Sequence, residues 1–205
     1  MTAHKNRSCT NWWFQTDRWS CPLARGRCKH QTSAGSRCKN KVCIGFPLCW
    51  IHNSIKFGVK GRVSTIANAG QGLFATRDFP RNSWVCPYIG ENITKDEANT
   101  RYGDTTAPYT MQGPKSLTVD AACKRGIASL ANCLFRSNGT VASVNRHNCI
   151  ASHRPVGDGT PGVWLQTTKS IKAGHEIFLY YGNGGYALDN NHKTSRCGQQ
   201  PQNIT

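Results

Sequence analysis

The sequence predicts a mainly β domain preceded by a small cross-linked module, and three observations carry that prediction. From Arg62 onward, short β-branched or aromatic runs alternate with Gly, Pro, Asn and Asp, the pattern of strands joined by turns. Six of the 11 cysteines fall within the first 49 residues. Residues 1–60 hold 11 basic residues against the single acid Asp17, while the rest of the chain is far closer to balance.

The first segment, residues 1–57, is rich in Cys, Arg, Lys and Trp and shows no sustained helical or alternating pattern. It is too small and polar to build much core alone, so a cross-link is expected to hold it. Residues 58–188 form the β part, with RVSTI, GLFA, SWVCPYIG, KSLTVDA, GVWLQTT and EIFLYYG as strand candidates. One helix is expected to start at Thr94, where T-K-D-E offers a capping box between Thr94 and Glu97. A shorter helical turn is expected around Lys124 to Ala131. Residues 189–205 read as a polar tail. No run approaches the roughly 18 apolar residues that a membrane span needs, and the opening lacks the apolar stretch of a secretory signal. The expectation is a protein without a membrane partner, in the nucleus or cytoplasm, with reduced thiols.

Within the first segment, Cys28, Cys38, Cys49 and His52 stand at compact spacing. Three thiolates and one imidazole make a four-coordinate Zn²⁺ shell, and the two-residue gap between Cys49 and His52 lets one turn present both to the same ion. Zinc would stand in for the missing core, so folding and metal binding should be coupled. The segment also resembles a short zinc-binding repeat of viral and protist proteins, through Cys28-Lys29, Thr32 to Lys39 and Cys49-Trp50-Ile51-His52. Cys43 lies outside that pattern and leaves a ligand swap open. Cys9 and Cys21 are open between a second ion and free thiols. The basic residues interleaved with Trp12, Trp13, Trp19 and Trp50 could supply phosphate contacts and stacking surfaces for nucleic acid or a nucleosome, or could dock the arm on the β domain.

Three separated motifs carry the chemistry of the β domain. The first is Ile66-Ala67-Asn68-Ala69-Gly70-Gln71-Gly72-Leu73-Phe74-Ala75, followed by Tyr88-Ile89-Gly90-Glu91; the second runs from Asp120-Ala121 to Asn132-Cys133; the third is Ile171 to Gly182. Together they resemble the SET-domain protein lysine methyltransferases, above all the compact viral members, over most of residues 58–188. The resemblance implies small curved sheets with a pseudoknot, in which the segment carrying Tyr181 is threaded beside the Asn132 strand. It further implies S-adenosylmethionine as cofactor and a protein substrate with an exposed lysine, a histone tail being favoured; for a viral chain, the host nucleus would be the place of action.

By the same resemblance Tyr181 is the principal catalytic residue and Tyr109 the second tyrosine of the lysine channel. Gly70, Gln71, Gly72, Asn132, Cys133, Tyr181 and Tyr186 are the cofactor-binding set. The chemistry suits these residue types. A sulfonium donor with a polar amino-acid end needs close backbone approach, which glycine permits, and acceptors, which an asparagine amide supplies. Transfer to a neutral lysine amine is in-line displacement, so positioning and removal of one proton dominate. Cys133 stands where the family has histidine, Leu134 where it has serine, Ser129 where arginine is common, and His175 where the closing motif has its first glutamate. These departures keep a second reading open: a degenerate SET scaffold serving as a zinc-dependent nucleic-acid or chromatin binding module. Exposed strand edges also leave pairing of two copies open.

Overall fold

The computed structural model describes residues 24–43, 48–67, 69–102, 109–121, 126–135, 142–156, 159 and 161–182. The chain begins there with a two-stranded antiparallel ribbon, β1 (Ala24–Arg27) and β2 (Lys41–Cys43). Helix α1 (Trp50–Phe57) follows, with Cys49 in extended conformation as its N-cap and Gly58 as a left-handed C-cap at φ 68°. The sequence of the first segment shows no sustained helical pattern that marks this helix. Eight residues are too few to show a period that stands out from the surrounding sequence, and they are held by packing on β3 (Val59–Val63).

Three further sheets make up the main domain. β3, β4 (Gln71–Ala75) and β11 (Glu176–Ile177) form one, in the order β11-β4-β3. β6 (Glu91–Ile93), β7 (Thr110–Gln112) and β8 (Thr118–Asp120) form the second, with β8 central. The third orders β12 (Leu179–Tyr180), β9 (Cys149–Pro155), β10 (Pro161–Thr167) and β5 (Trp84–Tyr88). Strands β9 and β10 are antiparallel over seven pairs, from Pro161 with Pro155 to Thr167 with Cys149. In β10 the inward Val163, Leu165 and Thr167 are buried while Gly162, Trp164 and Gln166 face the other side, the period of two that a one-sided sheet demands.

The core gathers Leu73, Phe79, Val85, Val163, Leu165, Ile177 and Leu179, each nearly or wholly inaccessible, between these sheets. Short sheets bury one face each and close around a shared interior. The expected strands GLFA, SWVCPYIG and GVWLQTT coincide with β4, β5 and β10. The expected EIFLYYG strand is broken into β11 and β12, because its two halves pair with different partners, β4 antiparallel and β9 parallel. Helix α2 (Lys95–Tyr102) starts where the capping box places it. Thr94 N donates to Glu97 Oε2 at 2.7 Å, and Glu97 N donates to Thr94 Oγ1 at 3.1 Å. The turn expected near residues 124–131 is a 3₁₀ turn over Ile127–Leu130. Strand β9 has no counterpart among the sequence expectations, since its polar Ser152, His153 and Arg154 mask the alternation.

Candidate active site and candidate metal centre

The metal centre is assembled by the ribbon and by the start of α1. Cys28 leaves β1, Cys38 lies in the turn before β2, Cys49 is the N-cap of α1 and His52 sits in its first turn. The four ligand atoms all lie within 4.8 Å of one another. His52 Nδ1 is 3.1 Å from Cys49 Sγ and 3.4 Å from Cys28 Sγ. A tetrahedral zinc with Zn–S near 2.3 Å and Zn–N near 2.0 Å has ligand–ligand edges of about 3.5–3.8 Å, so this donor set fits the ion. Cys28, Val42 and Cys49 form a miniature core with Leu48 and Cys38 against it, too little apolar surface to fold without a metal.

Backbone and amide N–H groups surround the sulfurs as they would thiolates. Cys49 N donates to Cys28 Sγ at 3.2 Å, Asn40 N to Cys38 Sγ at 3.4 Å and Asn40 Nδ2 to Cys49 Sγ at 3.5 Å. Burial acts to raise the Cys49 thiol, but donors from Asn40 and the His52 backbone outweigh it and hold the thiol below its ordinary value. Burial raises Cys28. Desolvation and the neighbouring His30, stacked on His52 at 3.7 Å, hold the His52 imidazole low and therefore neutral, as a ligand must be. Two arginines close the ribbon: Arg27 donates to the carbonyls of Cys38 and Arg37, and Arg37 donates to those of Cys28 and Arg27. Cys9, Cys21, Trp12, Trp13, Trp19 and the side chains of Cys43 and Trp50 lie outside the described residues.

In the main domain, the three sequence motifs meet. Asn132 Nδ2 donates to Gln71 O at 2.9 Å and to Glu176 Oε1 at 3.3 Å, tying the glycine-rich turn to the second and third motifs. Asn132 O accepts from Leu179 N at 2.9 Å, and Asn132 forms a parallel bridge with Phe178. Tyr181 donates its hydroxyl to Ala131 O at 2.9 Å, which brings it beside the Asn132 segment. The chain thus carries its last described strand past β4, past Asn132 and onto β9 in five residues.

Gly70 turns with φ 74°, a left-handed geometry that glycine adopts without strain. Gly72 answers a different demand: a Cβ there would meet Glu176 Oε1 at 2.0 Å and its Cδ at 2.7 Å. The absent side chain is filled by a buried carboxylate. Glu176, 4% exposed, accepts from Ser64 Oγ at 2.7 Å, Thr65 N at 2.7 Å and Thr65 Oγ1 at 2.6 Å besides Asn132. Sequence reasoning missed this role, although the glutamate's place two residues after Gly174 was a usable signal.

Tyr109 stands just before β7 at φ 70°, left-handed backbone that a bulky side chain rarely takes. Its carbonyl accepts from Tyr88 Oη at 2.9 Å and Ala121 N at 3.0 Å, two bonds that hold the strained geometry. Both Tyr109 and Tyr181 pack on the main core. Cys133 is buried, and burial pushes its thiol up, so it stays protonated. Its Sγ lies 3.3 Å from Nε2 of His147, a buried imidazole that no sequence motif marked. Tyr186 lies outside the described residues.

A family model for the SET domain matches residues 70–182. Histone-lysine N-methyltransferase EHMT1 of Mus musculus is 24% identical over 182 residues, covering 83% of this chain and 12% of that protein. EHMT1 of Homo sapiens is 24% identical over 180 residues with the same coverage. The chain therefore spans about an eighth of the length of these curated relatives. Among solved structures, ctPRC2 in an autoinhibited conformation bound to S-adenosylmethionine is 26% identical, covers 61% of this chain and 15% of that one, and has a TM-score of 0.48. An active polycomb repressive complex 2 in the basal state gives 25% identity, 60% and 15% coverage and the same TM-score of 0.48. The family match takes in more than half of the 205 residues, including Gln71, Asn132, Glu176 and Tyr181. The chain belongs to the SET-domain family.

Proposed function

We propose that this chain is an S-adenosylmethionine-dependent protein lysine N-methyltransferase acting on histone tails, with a zinc-held basic module that contacts nucleic acid. The observation that carries the reading is the meeting of three stretches some 50–60 residues apart: Asn132 Nδ2 donates to Gln71 O, and Tyr181 Oη donates to the carbonyl of Ala131, the residue before Asn132. S-adenosylmethionine supplies a methyl group on a positively charged sulfur. Among the described residues, both hydrogens of Asn132 Nδ2 are engaged by Gln71 and Glu176, which turns Oδ1 into the atom offered to a cofactor ammonium. Gly70 and Gln71 bring backbone close to the same place. Tyr181 donates its hydroxyl to Ala131 O, which fixes the phenol beside the Asn132 segment, where the lysine amine and the methyl group would meet. Tyr109 supplies an aromatic wall suited to an aliphatic stem with a cationic tip. Tyr186 would cover the adenine.

A basic module does not suit a basic tail. The excess of cations in residues 1–60 fits phosphate, so we assign the arm to nucleic acid and the channel to the lysine, a reading that favours chromatin as the target and the nucleus, ahead of the cytoplasm, as the place of action. Incubation of the purified protein with labelled cofactor and core histones tests the reading. Labelling by the wild type that is lost in Tyr181→Phe and in Asn132→Ala is expected; equal labelling by all three removes the assigned roles. The scaffold-only alternative draws on Cys133 and Leu134, and calorimetry separates it, because a reader without transfer chemistry has no reason to bind S-adenosylmethionine.

A further inference from the structure

His147 is wholly buried, and the proposed transfer does not use it. It follows a 3₁₀ turn over Val144–Arg146, fifteen residues after Asn132 in the chain, and its ring returns to the Asn132 segment. Leu134 N donates to Nε2 at 3.0 Å, and Nδ1 lies 3.1 Å from Ser143 O. An amide N–H can only be received by a bare ring nitrogen, so Nε2 is unprotonated and Nδ1 carries the hydrogen that it donates to Ser143. The ring fills the space beside the small Cys133 side chain, with Sγ 3.3 Å away, and meets the edge of Tyr180 at 5.2 Å between centroids. Asn148, the next residue, grips the other side of the crossing: its Nδ2 donates to Glu176 O at 2.9 Å and its Oδ1 accepts from Phe178 N at 2.8 Å.

We propose that His147 is a positioning residue for the cofactor segment, its neutral imidazole holding Asn132-Cys133-Leu134 in register with Tyr180-Tyr181. This deepens the methyltransferase reading and rests on it. Where a histidine within the segment is replaced by Cys133, an imidazole supplied from fourteen residues further on holds the same backbone from outside. Protonation of Nε2 would turn the acceptor into a donor facing the Leu134 N–H and release the segment. The groups facing the ring are the Cys133 thiol and Tyr180, with the Lys169 and Arg146 charges nearby. Burial and those two cations oppose a charged ring, so the clamp stays closed at neutral pH and opens on acidification.

The test uses the zinc-loaded full chain and compares wild type, His147→Leu and His147→Gln; the glutamine carries an oxygen acceptor for Leu134. Amide exchange at Leu134 reads the clamp itself, with Leu165 and Ile177 as fold controls. Calorimetry with S-adenosylmethionine reads its consequence. The expected result is Leu134 protection in wild type that falls on acidification, loss of that protection in His147→Leu at every pH, and retention without pH dependence in His147→Gln. Cofactor affinity should fall about tenfold in His147→Leu and by less than about threefold in His147→Gln. Should His147→Leu fail to fold, the pH profile of wild type against His147→Gln decides. Leu134 protection that ignores both pH and the leucine substitution overturns the clamp. An unchanged affinity in a folded His147→Leu protein overturns its role in the site. A wild type that protects Leu134 through His147 but binds no cofactor overturns the methyltransferase reading and the positioning role together, leaving a structural clamp.

Discussion

Replacing Glu176 by glutamine changes one atom and no volume, yet it should cost about 2–4 kcal/mol. The carboxylate takes four donors, two on each oxygen: Ser64 Oγ and Asn132 Nδ2 on Oε1, Thr65 N and Thr65 Oγ1 on Oε2. Hydroxyls can reverse their direction, but Thr65 N–H and the Asn132 amide hydrogens cannot. Whichever way the glutamine amide is turned, its NH₂ therefore faces an N–H donor, at Thr65 in one orientation and at Asn132 in the other. One buried donor is left unsatisfied, about 1–3 kcal/mol, and the remaining bonds lose the assistance of the charge, each dropping from about 1.5–3 toward about 1 kcal/mol. Urea unfolding of the zinc-loaded protein should show a midpoint lower by about 1–2 M at unchanged slope. A midpoint within about 0.3 M of wild type would refute the hydrogen-bond assignment. That result would mean the four donors do not depend on a carboxylate.

Gly72→Ala attacks the same junction from the opposite side: with its Cβ 2.0 Å from Glu176 Oε1, it should lower stability by at least as much as Glu176→Gln, and a thermal midpoint equal to wild type would refute the packing. Chelation, Cys38→Ser and His52→Ala should each release one zinc, measured by a colorimetric metal assay, and should unfold the ribbon; metal retained by both variants would dismiss the assigned shell. Acidification should release the same ion as protons compete for the thiolates and His52. Burial raises Cys86 and pushes Cys149 up to about 12, so both should resist alkylation at pH 8 while the chelated protein exposes Cys28, Cys38 and Cys49. Because the folded Cys149 thiol titrates above its unfolded value near 8.5, its contribution is complete below that pH and is lost as the pH rises toward 12. Between pH 8 and 10, stability should fall by about 2 kcal/mol more in wild type than in Cys149→Ala. Tyr88→Phe removes one of the two bonds on Tyr109 O; it should cost about 1 kcal/mol and raise KM for the lysine substrate more than it lowers kcat, measured by initial rates across substrate concentration.

Local chemistry was legible along the chain. The Thr94–Glu97 box, the strands with clean alternation and the four zinc ligands follow from patterns a few residues long, where capping, pleat and ligand spacing act over neighbouring positions. The resemblance that the Gly70-Gln71-Gly72, Asn132 and Tyr181 motifs carry also implied a Tyr181 segment beside the Asn132 strand, where Phe178 bridges Asn132 and Tyr181 bonds to Ala131 O. Tertiary structure alone decided what Glu176, Tyr88 and His147 do. Their partners lie 44, 111 or 112 residues away for Glu176, 21 for Tyr88 and 13 for the Leu134 amide at His147, and a buried polar side chain is defined by whichever partners the fold delivers to it. The same holds for α1, β9 and the split of the last strand into β11 and β12. These elements are fixed by the surfaces and strand edges they meet, and no periodicity within their own few residues encodes those meetings.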